Sequence, residues 1–149
     1  MKEHPDLLDV KMIDSDDYFT IVSAFLDEGK DVLFTPKGES MLPFIKGGRD
    51  SVLLTRLGRS LEVGDIVLVK VGGKYIMHRV FALEGESLTL MGDGNIFGKE
   101  KCSLKNVIGL VTEIHKENGK ILKPGKARLW RYLRPFRKYI LAIYKRVIL

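Results

Sequence analysis

Ile66-Val67-Leu68-Val69-Lys70-Val71-Gly72-Gly73-Lys74-Tyr75-Ile76-Met77-His78-Arg79-Val80-Phe81-Ala82 sets two runs rich in β-branched and aromatic residues around a pair of glycines. Consecutive glycines supply the positive φ angles of a two-residue hairpin turn, so the stretch predicts antiparallel strands over 66–71 and 74–82. On the returning strand Tyr75, Met77, Arg79 and Phe81 share one face, and Ile76, His78, Val80 and Ala82 the other. His78 therefore falls among small and β-branched side chains, where burial is expected. The default reading of such a histidine is structural.

The same signals continue outward. Upstream, Ser51-Val52-Leu53-Leu54-Thr55 reads as a strand, and Val63-Gly64-Asp65 opens the hairpin. Downstream, Gly85-Glu86 turns into a strand over 87–91 that ends in the polar turn Gly92-Asp93-Gly94-Asn95. A long strand over 106–114 contains Gly109, which points to a bulge or a close approach. Glu117-Asn118-Gly119-Lys120 then turns into Ile121-Leu122-Lys123. About seven short strands in one domain-sized chain predict an all-β fold, a curled sheet or small barrel. Ahead of the sheet, Asp14-Ser15-Asp16-Asp17, apolar positions three and four apart, and Gly29 predict a helix over 14–28. It is too short for the two packed helices of a helix-turn-helix DNA reader. The lone Cys102 excludes an internal disulfide and a cysteine-rich metal framework, and no metal or cofactor is expected. Lys46-Gly47-Gly48-Arg49 lacks the spacing of a nucleotide loop.

Between the run Val32-Leu33-Phe34 and the strand at 51 lies Thr35-Pro36-Lys37-Gly38-Glu39-Ser40-Met41-Leu42-Pro43-Phe44. Gly38 admits backbone angles closed to other residues and Pro43 fixes its own φ, so the loop should hold Ser40 stiffly. A serine in such a place is by default a turn residue. Ser40, His78 and Asp93, each on a separate strand-flanked segment, are nonetheless the materials of hydroxyl activation by a base with an orienting third group.

Gly38-Glu39-Ser40-Met41-Leu42-Pro43 resembles the nucleophile box of the serine peptidase clan that contains type I signal peptidases and LexA-like self-cleaving proteins. The segment 61–69, the strand Ile76-Met77-His78-Arg79-Val80 and the turn Met91-Gly92-Asp93-Gly94-Asn95 are similar to that clan's following segments, in its order, over roughly 32–112. Bacterial members mostly place a lysine where His78 stands, whereas the archaeal and endoplasmic-reticulum signal peptidases use histidine, so the chain resembles the Ser-His branch. The resemblance implies Ser40 as nucleophile, His78 as general base and Asp93 as orienter of the base or holder of its loop. It also implies an extended peptide bound near Gly38, Met41, Pro43 and Met77, with a leader or signal-like precursor as substrate. Self-cleavage is disfavoured because no alanine here precedes a glycine. The alternative is a peptide-binding scaffold that keeps the fold without turnover.

The formal charge of +6 belongs to one end. Residues 126–149 hold eight basic residues and no acid, while the remainder carries 17 basic against 19 acidic residues. That division predicts a catalytic domain over 1–125 and a basic amphipathic tail over 126–149. In the tail, Leu129, Leu133, Phe136, Ile140, Ile143, Tyr144 and Val147 fall on one helical stripe, with the main helix starting near Pro135. The stripe predicts docking on the domain or a partner subunit, or an in-plane membrane anchor using Trp130, Arg131, Arg134, Arg137 and Lys138. Nucleic acid is disfavoured, since tracking phosphates needs no such apolar face. No run of 18 apolar residues exists and the first residues are polar, so the expected location is cytoplasmic, peripheral on the inner membrane face.

Overall fold

The computed structural model describes residues 8–10 and 16–149, with side chains from Tyr18 onward. The chain forms a curled sheet whose strands are β1 (Leu8–Val10), β2 (Val32–Phe34), β3 (Ser51–Thr55), β4 (Ile66–Val71), β5 (Lys74–Glu84), β6 (Ser87–Met91), β7 (Glu100–Ser103), β8 (Val107–His115) and β9 (Ile121–Leu122). Their order is β1-β2-β3-β8-β4-β5-β6-β7, with β9 added to β8. Every pairing is antiparallel except β1 with β2. Register shifts at Leu53/Leu54, Leu68/Val69 and Val80/Ala82 bend the sheet, as extra residues in a ladder do. The expected hairpin is present, and Gly72 and Gly73 take φ of 56° and 77°, as its tight turn requires.

Two apolar layers follow from the alternation. One, containing Phe34, Leu54, Leu68, Met77 and Val111, is covered by α1 (Asp16–Asp27) through Val22 and Leu26. The expected start of that helix at 14 lies outside the described residues. Gly109 lets α1 approach β8, since a Cβ there would stand 2.9 Å from Leu26 Cδ1 and 3.1 Å from the Thr55 carbonyl oxygen. The opposite layer gathers Val67, Val69, Val80, Leu88, Leu90 and Leu110. β1 and β7 were not among the expected strands. The segment at 100–103 is charged, and as the last strand on its side of the sheet it needs only one neighbour.

The tail folds as α2 (Arg128–Tyr132), a 3₁₀ turn over Arg134–Phe136, and α3 (Arg137–Val147). Its apolar residues do not form one stripe. Trp130, Leu133, Ile140, Leu141 and Tyr144 pack inward around Leu42 of the serine loop. Leu129, Phe136, Ile143 and Val147 face outward. The 3₁₀ turn over Arg134–Phe136 advances the chain at a different angle per residue, so the phase of the stripe changes there. No helix among the described residues is long and apolar enough to cross a membrane.

A buried carboxylate joins the tail to the sheet. Asp65, at the mouth of β4, accepts from Arg59 at 2.9 Å and from the Glu62 N–H at 2.8 Å, and it also pairs with Lys126. Burial raises its pKa, but those donors outweigh burial and hold the carboxyl at about 2. Because the folded value lies below the ordinary 3.8, the contribution is complete above the unfolded pKa and is lost as pH falls through the folded one. After discounting for the exposed Arg59, we expect about 1–2 kcal/mol from this group at neutral pH. Denaturant melts from pH 7 to 2 should show a decline below about pH 4 that is shallower in Asp65→Asn. Equal slopes in the two proteins would refute the assignment.

Candidate active site

The segment from Thr35 to Asp50 is a closed loop. Thr35 Oγ1 and Ser51 Oγ are 2.8 Å apart at its mouth, and the Gly48 N–H donates to the Pro36 carbonyl at 2.7 Å. Asp50, fully buried, accepts from the Lys46 N–H at 2.8 Å, from Lys116 Nζ at 2.6 Å and from the Glu117 N–H at 3.0 Å. Burial pushes the Asp50 carboxyl up, but these donors win and lower it. Within the loop Met41 and Leu42 are buried, the Leu42–Pro43 peptide is cis, and Ser40 is half-buried.

Glycines set how closely Ser40 is approached. A Cβ on Gly47 would collide with Gly38, and one on Gly94 with the Glu39 carbonyl. A Cβ on Gly92 would collide with the Ser40 carbonyl oxygen and stand 3.0 Å from His78 Nε2. A gap smaller than a methyl group thus separates the Ser40 backbone from the imidazole. The Gly94 N–H donates to the same Ser40 carbonyl at 2.8 Å, tying the polar turn to the serine loop.

His78 is buried on β5, and its Nδ1 lies 2.8 Å from Glu100 Oε2. Register explains the meeting: Val80 pairs with Leu90 and Leu90 with Glu100, so the carboxylate and the imidazole share one face of the sheet. A carboxylate only accepts, so the neutral imidazole carries its proton on Nδ1 and presents an unprotonated Nε2 to the serine loop. Ser40 Oγ makes no hydrogen bond to His78 or to any other described residue. Both line one groove of about 300 Å³, floored by Phe34, Met41, Leu68 and Met77.

Asp93 has a different partner. Arg79 Nε reaches its two carboxylate oxygens at 2.9 and 3.1 Å, and Nη2 reaches one at 2.8 Å. The third arm of that guanidinium donates to the carbonyls of Gly64 and Gly125 at 2.8 and 2.6 Å. Burial pushes the Asp93 carboxyl up, against the pull of Arg79. The Trp130 indole donates to the Asp93 carbonyl at 2.8 Å, and Arg137 stacks over that indole. Among the described residues no group of three His, Cys, Asp or Glu side chains is placed to hold a metal.

Comparison with known families matches residues 7–112 to the profile described as Peptidase S24-like. The chain belongs to that family. Among curated proteins none matches it. Membership supports hydrolase activity for this S24-like chain, and the serine loop, the histidine strand and the polar turn all lie within the matched span.

Within the S24-like fold the expected residues divide. Ser40, His78, Gly38, Met41 and Met77 line the groove, and Pro43 does not. The hydrogen bonds of Asp93 hold its loop through Arg79, while the partner of the imidazole is Glu100. Glu100 was missed because its strand lacks apolar alternation. The available signal was phase: on a strand returning from Gly92-Asp93-Gly94-Asn95, Glu100 shares the inward face with Cys102, opposite Leu90 and Leu88. Trp130 and Arg137, expected at a membrane surface, are instead buried against the polar turn. The Arg137 guanidinium carbon lies 5.2 Å from the Trp130 ring centroid there, away from solvent.

Proposed function

We propose that this S24-like chain is a serine endopeptidase of the Ser-His type that hydrolyses a leader or signal-like peptide through an acyl-enzyme at Ser40. The observation that carries the reading is the directed imidazole: Nδ1 is held by Glu100, and Nε2 faces the backbone of Ser40 across Gly92. Ser40 Oγ attacks the scissile carbonyl while His78 Nε2 takes its proton. The imidazolium then protonates the leaving amine, and water repeats the sequence to release the acyl group. The transfer requires Oγ within hydrogen-bond reach of Nε2, a contact that catalytic groups often make only once substrate binds.

Two further features support the reading. The Ser40 N–H has no partner among the described residues and is free to donate to a developing oxyanion. Glu39, the adjacent acid, turns away and pairs with Lys145 at 2.8 Å, so it does not oppose that charge. The apolar floor of Met41 and Met77 suits small apolar side chains of an extended peptide.

The test is trapping. The protein is mixed with peptide esters bearing small residues before the scissile bond, quenched in acid, and digested for mass mapping. An acyl adduct on the peptide containing Ser40 is expected. Turnover with the adduct on another side chain, or binding of the esters without any turnover, would overturn the assignment, the latter in favour of a peptide-binding scaffold.

A further inference from the structure

The inner face of the tail is satisfied by Leu42 and the polar turn, which leaves its outer face to explain. Tyr132, Phe136, Tyr139, Ile143 and Val147 are all exposed along it, and Phe97 of the neighbouring turn is 88% exposed. Scattered exposed apolar residues are ordinary, but a set continued at helical spacing from Phe136 through Tyr139 and Ile143 to Val147 marks an interaction surface.

The charges beside the patch identify what it meets. Lys99, Arg131 and Arg134 gather over the Phe81 ring at 4.2, 4.1 and 5.2 Å from its centroid. Lys138 lies 5.8 Å from the Tyr139 ring. None of these four cations has a carboxylate partner among the described residues, and no acid occurs after Glu117. We propose that this face docks on an anionic phospholipid bilayer, with the apolar side chains in the interfacial region and the cations on lipid phosphates. Three cations around one ring repel each other unless an anion joins them. A second copy of the chain would bring the same uncompensated positive charge to the interface. A nucleic acid would use the cations and leave the aromatic and aliphatic side chains in water. An anionic bilayer engages both. With 11 residues α3 is roughly 16 Å long, about half a hydrocarbon core, so it lies in the plane of the surface.

Binding does not depend on the peptidase reading and is tested without turnover. The full chain is sedimented with vesicles of phosphatidylcholine alone or mixed with phosphatidylglycerol, at low and high salt. Retention on the mixed vesicles only, weakened by salt, is expected. Tyr139→Ser with Ile143→Ser should lower partitioning about tenfold or more, and Arg134→Gln with Lys138→Gln should lower it similarly and abolish the preference for anionic lipid. Melting temperatures should stay unchanged, because the side chains replaced contribute little to the packed interior. Recovery of the wild-type chain in the supernatant with mixed vesicles overturns the proposal. So does retention that neither pair alters, or sedimentation equilibrium showing a dimer that the Tyr139 and Ile143 substitutions dissolve.

Discussion

Ser40→Ala should abolish peptide cleavage and leave the fold as it is. The chemical half of this expectation rests on the hydroxyl having no substitute. Glu39 is turned to Lys145, and the side chains that stand nearest the Cβ position of Gly92, beside residue 40, are the Asn95 amide and the His78 imidazole, neither of which carries a hydroxyl. Loss of a nucleophile acting with its base lowers kcat by about 10⁴-fold or more. The structural half rests on Oγ itself, which is half-buried and bonded to nothing described, so its removal strands no partner and stability should change by less than about 0.5 kcal/mol. His78→Ala should match Ser40→Ala, and the double variant should be no worse than either single one, because the two act as a unit. Glu100→Gln should be milder, at about 10²-fold, because it leaves the base in place and loosens its tautomer and orientation. Its distinguishing readout is the split between kcat and KM: kcat should fall with KM little changed, because the base is misoriented while the groove is intact. Cleavage by Ser40→Ala at the wild-type rate would remove the mechanism, and an unchanged kcat in Glu100→Gln would remove the role given to that carboxylate.

The contrast between Ser40 and Glu100 shows what made parts of this chain legible. The β4–β5 hairpin could be read because its information is local: a Gly-Gly turn with positive φ at both positions between two runs rich in β-branched and aromatic residues. The serine loop could be read because glycine and proline constrain it in the sequence itself. β7 could not, because Glu100, Lys101, Cys102 and Ser103 pack against one neighbouring strand and carry no apolar rhythm. The partner of His78 therefore sits on the strand with the weakest signal. In the tail the error ran the other way. A helical stripe was present on paper, but it assumed one continuous phase, and the 3₁₀ turn over Arg134–Phe136 divides it between a docked inner face and an exposed outer one. Trp130 and Arg137 were assigned to the wrong environment for the same reason. Nothing local to 126–149 reveals that the Asp93 carbonyl, 37 residues upstream, needs a donor that the indole supplies.

Asp93→Asn should be the most destabilising single change at the polar turn. Arg79 and Arg137 are both buried; Asp93 pairs directly with Arg79 at 2.8 Å, and its charge also favours the Arg137 cation. Asparagine keeps the shape and part of the hydrogen bonding but leaves two guanidinium groups in the interior without an anion. Burial already lowers the pKa of Arg137, with Arg79 and Arg134 adding to the push and Asp93 opposing it. Breaking a buried pair from one side costs about 3–5 kcal/mol, because the remaining charge keeps its desolvation penalty. In a chain of this size that is a fall of roughly 10 °C or more in melting temperature. The damage should spread along the contacts of the pair: Arg79 also holds the carbonyls of Gly64 and Gly125, and the carbonyl of Asp93 anchors Trp130, so the tail should loosen with the turn. Limited proteolysis near Gly125 should therefore be faster in the variant. The folded fraction should keep its kcat, since the hydrogen bonds of Asp93 go to Arg79 and those of the imidazole to Glu100. A variant as stable as the wild type that has lost its kcat would mean the reverse. It would place Asp93 on the base and reduce the Arg79 pair to a bystander.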